Sequence, residues 1–353
     1  MTRWITAGAT ITIMLSILTG CWDTKPIDKR LLPVVMAVEL SEDRNYTVSL
    51  RLADPSKEQV TQTISAEAPT ISEAFDRMRR DEERSIDLLH LTLILIGENL
   101  GKAGIKGVID YAMRTREIDP KALLAIVKGD IHRLMRSKEN IKLEDGTELL
   151  DFFNKRAGWT PNIPVTNIWE AFRDLNSETG DMALPIIKEG TDTMFEFVST
   201  AVMSEDRMTG TITTDDTFLY NLFQREFTGG IVEVTDRASL QIVDADVKHH
   251  ASWDGIHSRL DTKMKIGAVI LELKGQFNRD ELKSELENML EQRFNRMFEK
   301  LQKGRSDILR TGQLFRSKIP PDQMVFWIER WYPKLNIELQ VDVVIRNHGN
   351  LKM

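Results

Sequence analysis

His90-Leu91-Thr92-Leu93-Ile94-Leu95-Ile96-Gly97 reads as a buried strand closed by a glycine. A helix over about Ile105–Met113 follows, then the apolar run Ala122–Val127 as another strand, then a short helix from Asp130. Strand, helix, strand at this spacing requires a crossover and at least one parallel pair. Upstream, Leu31–Leu40 (LLPVVMAVEL) is a continuous apolar strand and Ser41–Asn45 a turn. Tyr46–Leu52 alternates and supplies a hairpin partner, and Val60–Ala66 gives a third strand. Thr70-Ile71-Ser72-Glu73 opens a helix whose apolar stripe is Ala74, Phe75 and Met78. Its other face holds Arg77, Arg79, Arg80 and Arg84 among Asp81, Glu82 and Glu83; interleaved charges of both signs predict a solvated, self-paired face. These elements make a first domain over 22–136.

A second domain is expected over 137–228. It holds amphipathic helices at Asp145–Lys155 and Asn167–Leu175, strands at Leu184–Ile187, Phe195–Val202 and Thr209–Thr213, and a helix over Asp215–Phe227. The third, 229–353, opens on Gly229-Gly230. Strands at Ile231–Thr235, Ala238–Ala251 and Arg259–Leu273 predict an antiparallel meander. From Asn278 or Asp280 to Lys303, Leu282, Leu286, Leu290, Phe294, Met297, Phe298 and Leu301 recur at spacings of three and four. Fewer than four heptads favour a helix packed on the sheet over a coiled-coil dimer. Phe326–Leu335 reads as a helix running into a break, and Glu338–Ile345 as a closing strand. The expected fold class is α+β, three mixed domains in a row.

Ahead of these domains lies a different signal. Arg3 precedes an apolar run, Trp4–Leu18, which leads into Leu18-Thr19-Gly20-Cys21. A basic start, a short apolar core and small residues at the cut define a secretory signal peptide, 1–20. A cysteine directly after Leu18, Thr19 and Gly20 is the bacterial lipobox pattern, in which Cys21 takes a diacylglycerol thioether and becomes the acylated N-terminus. The run is shorter than the ~20 apolar residues a spanning helix needs, which disfavours an uncleaved anchor. Two acyl chains suffice for stable attachment. The rest of the chain is then expected on the outer face of a membrane.

Composition narrows the function classes. The 353 residues are 41% hydrophobic and 29% charged, as in ordinary globular domains, and the net charge of −7 argues against a nucleic-acid partner. Cys21 is the only cysteine, so no intrachain disulfide can form. Gly97, Gly101, Gly104 and Gly107 do not have dinucleotide-loop spacing and read as caps and turns. His249, His250 and His257 are the only histidine cluster; neighbours on a strand point to opposite faces, so no metal site is expected. No cofactor motif, nucleophile motif or isolated carboxylate pair stands out, which points away from an enzyme.

Several segments carry a resemblance. Gly20-Cys21-Trp22-Asp23 with two early strands is similar to the Ger(x)C family of spore germination lipoproteins. His90–Ile105 resembles that family's H-x-hydrophobic-IGE-x-L-A-x-x-G segment, and Ile109–Ile118 its L-D-F-x-x-R-x-x-E-I/L segment. Leu184-Pro185 and the Ala201–Gly210 run resemble its LP and A-V-F…D-K-L-x-G segments, and the tail with Trp327 and Trp331 its C-terminal domain. Pro26-Ile27-Asp28 departs from the usual E-I/L-N. Ser306-Asp307-Ile308-Leu309-Arg310 keeps part of D-I-F-G-F-G, with Leu309 and Thr311 replacing the aromatic and the glycine. The resemblance implies a non-enzymatic lipoprotein subunit of a spore nutrient-germinant receptor. It further implies two integral membrane partners, the A-type and B-type subunits, and a place on the outer face of the spore inner membrane, anchored in the bilayer through Cys21. Trp159 and Trp169 are candidate interface anchors. The rival reading is the solute-binding lipoprotein of a transporter, with two α/β lobes around a cleft.

Overall fold

Alternation along the early strands builds a sheet with both faces covered. The computed structural model describes residues 29–52, 62–136, 162–191, 195–226, 230–234, 238–274 and 278–346. The expected signal peptide with Leu18, Thr19, Gly20 and Cys21, the candidate anchor Trp159 and the helix expected at Asp145–Lys155 lie outside them.

The chain enters through β1 (Arg30–Leu31), β2 (Pro33–Leu40), β3 (Tyr46–Leu52) and β4 (Gln62–Ala68). Helix α1 (Ile71–Asp81) follows, capped by Thr70, whose side chain accepts from Glu73 N at 3.2 Å. Next come β5 (Ser85–Ile86), β6 (Leu93–Gly97), α2 (Glu98–Ala103), α3 (Lys106–Arg114) and β7 (Leu123–Val127). Beyond them are α4 (Ile131–Arg136), α5 (Ile168–Leu175), β8 (Ala183–Glu189), β9 (Phe195–Ser204) and β10 (Arg207–Ile212).

Eight of these strands form one sheet, in the order β10-β9-β8-β7-β6-β2-β3-β4. The pairs β2–β6, β6–β7 and β7–β8 are parallel, as crossovers demand, and the flanking hairpins are antiparallel. Met36, Val38, Ile94, Ile96, Leu124 and Ile126 face α1, α3 and α5, while Val35, Ala37, Leu93, Leu95, Ala125 and Val127 face α4 and Ile163. Pro185 is tolerated in β8 because pairing with β7 begins one residue later, at Ile186. β7 and β8 lie on either side of the expected boundary after Arg136, so that boundary does not divide the sheet.

Helix α6 (Thr214–Phe223) leads into the second sheet, formed by β11 (Gly230–Val234), β12 (Ala238–Trp253), β13 (Ser258–Leu273) and, near the end of the chain, β14 (Asn336–Arg346). Two 16-residue strands make the long hairpin. Then α7 (Arg279–Lys303) crosses the sheet with the expected leucine and phenylalanine face buried. At 1.5 Å per residue it carries the chain back ~37 Å towards the start of β13. The closing strand β14 therefore leaves in the same direction as β13 and pairs with it in parallel. This corrects the expectation of a wholly antiparallel last sheet. The free edge of β14 is satisfied by α7, since Glu291 accepts from Val341 N and Glu287 from Val343 N, both at 2.8 Å.

Between α7 and β14 lie α8 (Thr311–Phe315) and α9 (Pro321–Met324), then a π-turn at Trp327–Trp331 and a 3₁₀ turn at Tyr332–Lys334 over the stretch Phe326–Leu335 where a helix running into a break was expected. The second core includes Phe218, Leu219, Leu222 and Phe223 of α6 as well as the elements after Gly229. The expected division at 228/229 therefore runs through one core. The fold is α+β, built on two large sheets and a small β1–β5 pair instead of three separate domains.

Candidate functional site

The most concentrated polar chemistry among the described residues is a buried joint between the two sheets. It is built from the end of α5, the loop into β8 and the segment Ser306–Gln313. Asp307 is fully buried. Its carboxylate accepts from Thr311 N, Thr311 Oγ1, Gly312 N and Trp327 Nε1, all at 2.9 Å. Asp181 reaches across from the first sheet: one oxygen accepts from Asp307 N at 2.8 Å and the other from Glu205 N at 2.9 Å. Asp181 N donates in return to Asp307 O at 3.0 Å. Ser306 Oγ donates to Met203 O, and Tyr332 Oη donates to Ser306 O at 2.8 Å. Gln224 Nε2, at the C-cap of α6, donates to Ile308 O at 3.1 Å, and Gln313 Nε2 to Thr179 Oγ1 at 2.5 Å.

Local conformation explains why these residues can meet. Arg310 takes a left-handed backbone (φ 52°), which turns the segment sharply and sends its guanidinium to Asp174 at the end of α5. Gly312 has no room for a side chain: an added Cβ would lie 2.7 Å from Trp327 Nε1 and 2.8 Å from Thr179 O. Asp174 also takes Arg173 Nε at 3.0 Å. Burial raises its pKa and Arg173 lowers it.

With its acceptor sites filled and no exposed surface, Asp307 holds backbone in place and is not positioned to meet a substrate. Burial pushes both Asp307 and Asp181 up to about 6, against the hydrogen bonds that favour their charged forms. The native state thus binds more protons than the unfolded chain, whose aspartates titrate near ~4, and stability falls as pH rises through that window. The contribution of the two acids is complete below pH ~4 and is lost as pH passes about 6. His249 works in the opposite sense. Burial lowers its pKa, so its contribution is present above ~6.5 and lost as pH falls. We expect the urea midpoint, measured from pH 4.5 to 7.5 (about the span of these titrations), to decline more steeply for the native chain than for Asp181→Asn. Equal slopes would show that Asp181 does not titrate in this range.

The residues singled out in the sequence fall in separate places. His249 is half-buried against Phe223 of α6, ring centroids 4.5 Å apart, with Nδ1 3.0 Å from Thr262 Oγ1. His250 is exposed, and His257 is exposed at the β12–β13 turn beside Asp254, so the three do not converge. Arg77 pairs with Glu73 at 2.7 Å and Arg79 with Asp76 at 3.8 Å on the face of α1. Gly97 and Gly104 bound α2, as caps should, whereas Gly101 and Gly107 lie inside α2 and α3. Trp169 is 40% exposed at the start of α5. Asp174 and Asp181 carried no sequence signal; Asp307 did, in the partly kept Ser306–Arg310 segment.

Comparison with known proteins places the chain in a family. A family model described as the spore germination protein N-terminal domain matches residues 23–189. A second, described as spore germination B3/GerAC-like C-terminal, matches residues 199–349. The chain belongs to the GerAC-like family of spore germination proteins. It is 20% identical to spore germination protein KC of Bacillus subtilis (strain 168) over 402 aligned residues, covering 99% of this chain and 97% of that one. The crystal structure of the GerBC protein has the same fold: TM-score 0.59 at 16% identity, covering 88% of this chain and 96% of that one. The first family segment ends with β8 and the second begins within β9, and these two strands pair within one sheet. The joint ties them again, since Asp174 and Asp181 belong to the first and Ser306, Asp307 and Arg310 to the second.

Proposed function

We propose that this chain is the C-type subunit of a spore nutrient-germinant receptor. It is held by acylated Cys21 on the outer face of the spore inner membrane, where it keeps two integral membrane subunits assembled without performing chemistry itself. The observation that carries the reading is the pair of family segments, in order, across 23–189 and 199–349, with the lipobox cysteine two residues ahead of the first. The joint supports a scaffold: its buried carboxylates are taken up by internal partners, Asp181 and Asp307 by backbone and side-chain donors and Asp174 by Arg173 and Arg310. A transporter's solute-binding lipoprotein would instead have two comparable lobes about a cleft. Here an eight-stranded and a four-stranded sheet meet through filled hydrogen bonds.

Deletion of the gene should abolish the nutrient response of spores and lower the amount of both membrane partners. Cys21→Ala should leave an unlipidated precursor and cut the germination rate by roughly an order of magnitude, about 1.4 kcal/mol if the rate followed the bound fraction alone. Equal fatty-acid incorporation by Cys21→Ala would exclude the anchor. Unchanged germination after deletion, or tight nutrient binding by the isolated chain in calorimetry, would exclude the scaffold role.

A further inference from the structure

Lys29 is where the chain from Cys21 joins the described fold, and its carbonyl accepts from Ser85 Oγ at 3.3 Å. Arg30 follows and pairs with Asp87 at 2.6 Å. The chain therefore enters along β5, at the end of the larger sheet where β6 and β7 begin. Leu89, two residues beyond Asp87, is 59% exposed. Trp169 lies at the same end: its backbone N–H donates to Pro120 O at 3.0 Å, just ahead of β7. The Arg173 guanidinium sits over its ring, 5.0 Å from the centroid.

The tether limits which face of the protein can meet the lipid. Residues 22–29 span at most about 29 Å even when fully extended, whereas a compact body of roughly 300 residues is about 50 Å across. The surface around Lys29 is therefore the one held nearest the bilayer. An exposed leucine, and a tryptophan with an arginine on its face, are side chains that settle at the lipid headgroup layer. The loop between them carries Arg116 and Lys121 against Glu117 and Asp119, so its charges balance. A contact here is apolar and interfacial, not electrostatic.

We propose that this end of the larger sheet rests in the headgroup layer, with Leu89 and Trp169 inserted, fixing the orientation of the subunit on the membrane. The proposal rests on the anchor at Cys21. Because Cys21 is the only native cysteine and is blocked once acylated, single labels can be placed elsewhere. Leu89→Cys, Trp169→Cys and, as a control on the β12–β13 turn, Ile256→Cys would each carry an environment-sensitive fluorophore. The mature lipidated chain would then be reconstituted in phosphatidylcholine vesicles containing nitroxide lipid.

Labels at 89 and 169 should be quenched several-fold more than the label at 256. The same result is expected in phosphatidylglycerol vesicles. If the chain floats with the vesicles but the three labels are quenched alike, the orientation is overturned and the anchor stands. If the chain does not float, the anchor reading fails and this one with it. Quenching that needs anionic lipid would overturn the apolar mode. Shielding that appears only when the two membrane subunits are reconstituted alongside would make this end a protein interface, against the proposal.

Discussion

Asp307→Ala is expected to destabilise the protein by about 3 kcal/mol, since a buried donor left without its acceptor costs roughly 1–3 kcal/mol and several are orphaned together. The substitution leaves Thr311 N, Thr311 Oγ1, Gly312 N and Trp327 Nε1 without their acceptor in a place water does not reach. Each orphaned donor forfeits its partner while remaining desolvated. Trp327 itself is fully buried, so it has nowhere else to send its indole N–H. Asp307→Asn keeps one acceptor oxygen and turns an amide towards donors, and should fall between the two. Urea unfolding followed by tryptophan fluorescence measures all three proteins. A loss below about 1 kcal/mol for Asp307→Ala would mean that the segment is held by packing alone.

Leu290→Asp is expected to prevent soluble folding of the mature chain. Leu290 is fully buried in the middle of α7, between Leu286 and Phe294. A carboxylate there is unpaired in an apolar core, a far larger penalty than a missing methyl group. Phe294→Ala gives a measurable companion at about 3–5 kcal/mol. Its ring stacks on Phe223 of α6 at 5.5 Å, so part of that loss comes from a residue that precedes the second sheet. The test therefore requires the whole mature chain: a fragment beginning at Gly229 would lack Phe218, Leu219, Leu222 and Phe223 and expose the face of the core they cover. Leu290→Asp that expresses and melts like the native chain would place the α7 face outside the core.

The sequence by itself determined the local elements. The strand β6, the hairpin β12–β13, the capped start of α1 and the apolar face of α7 follow from periods of two and 3.6 and from capping chemistry, which act within a few residues. The proposed lipobox would be legible for a similar reason, because an enzyme that modifies a cysteine reads a short linear segment. Tertiary structure alone decided the rest. Alternation in β14 is the same whether its neighbour runs parallel or antiparallel; the length of α7 set the direction. Nothing local in β8 or β9 says that they extend the first sheet instead of starting a new one. Nor did the pattern around Asp181 reveal that it meets Asp307, 126 positions away. Two aspartates so far apart become one buried joint only when the chain between them has folded, because burial and hydrogen-bond partners are properties of the packed state and not of the residues alone.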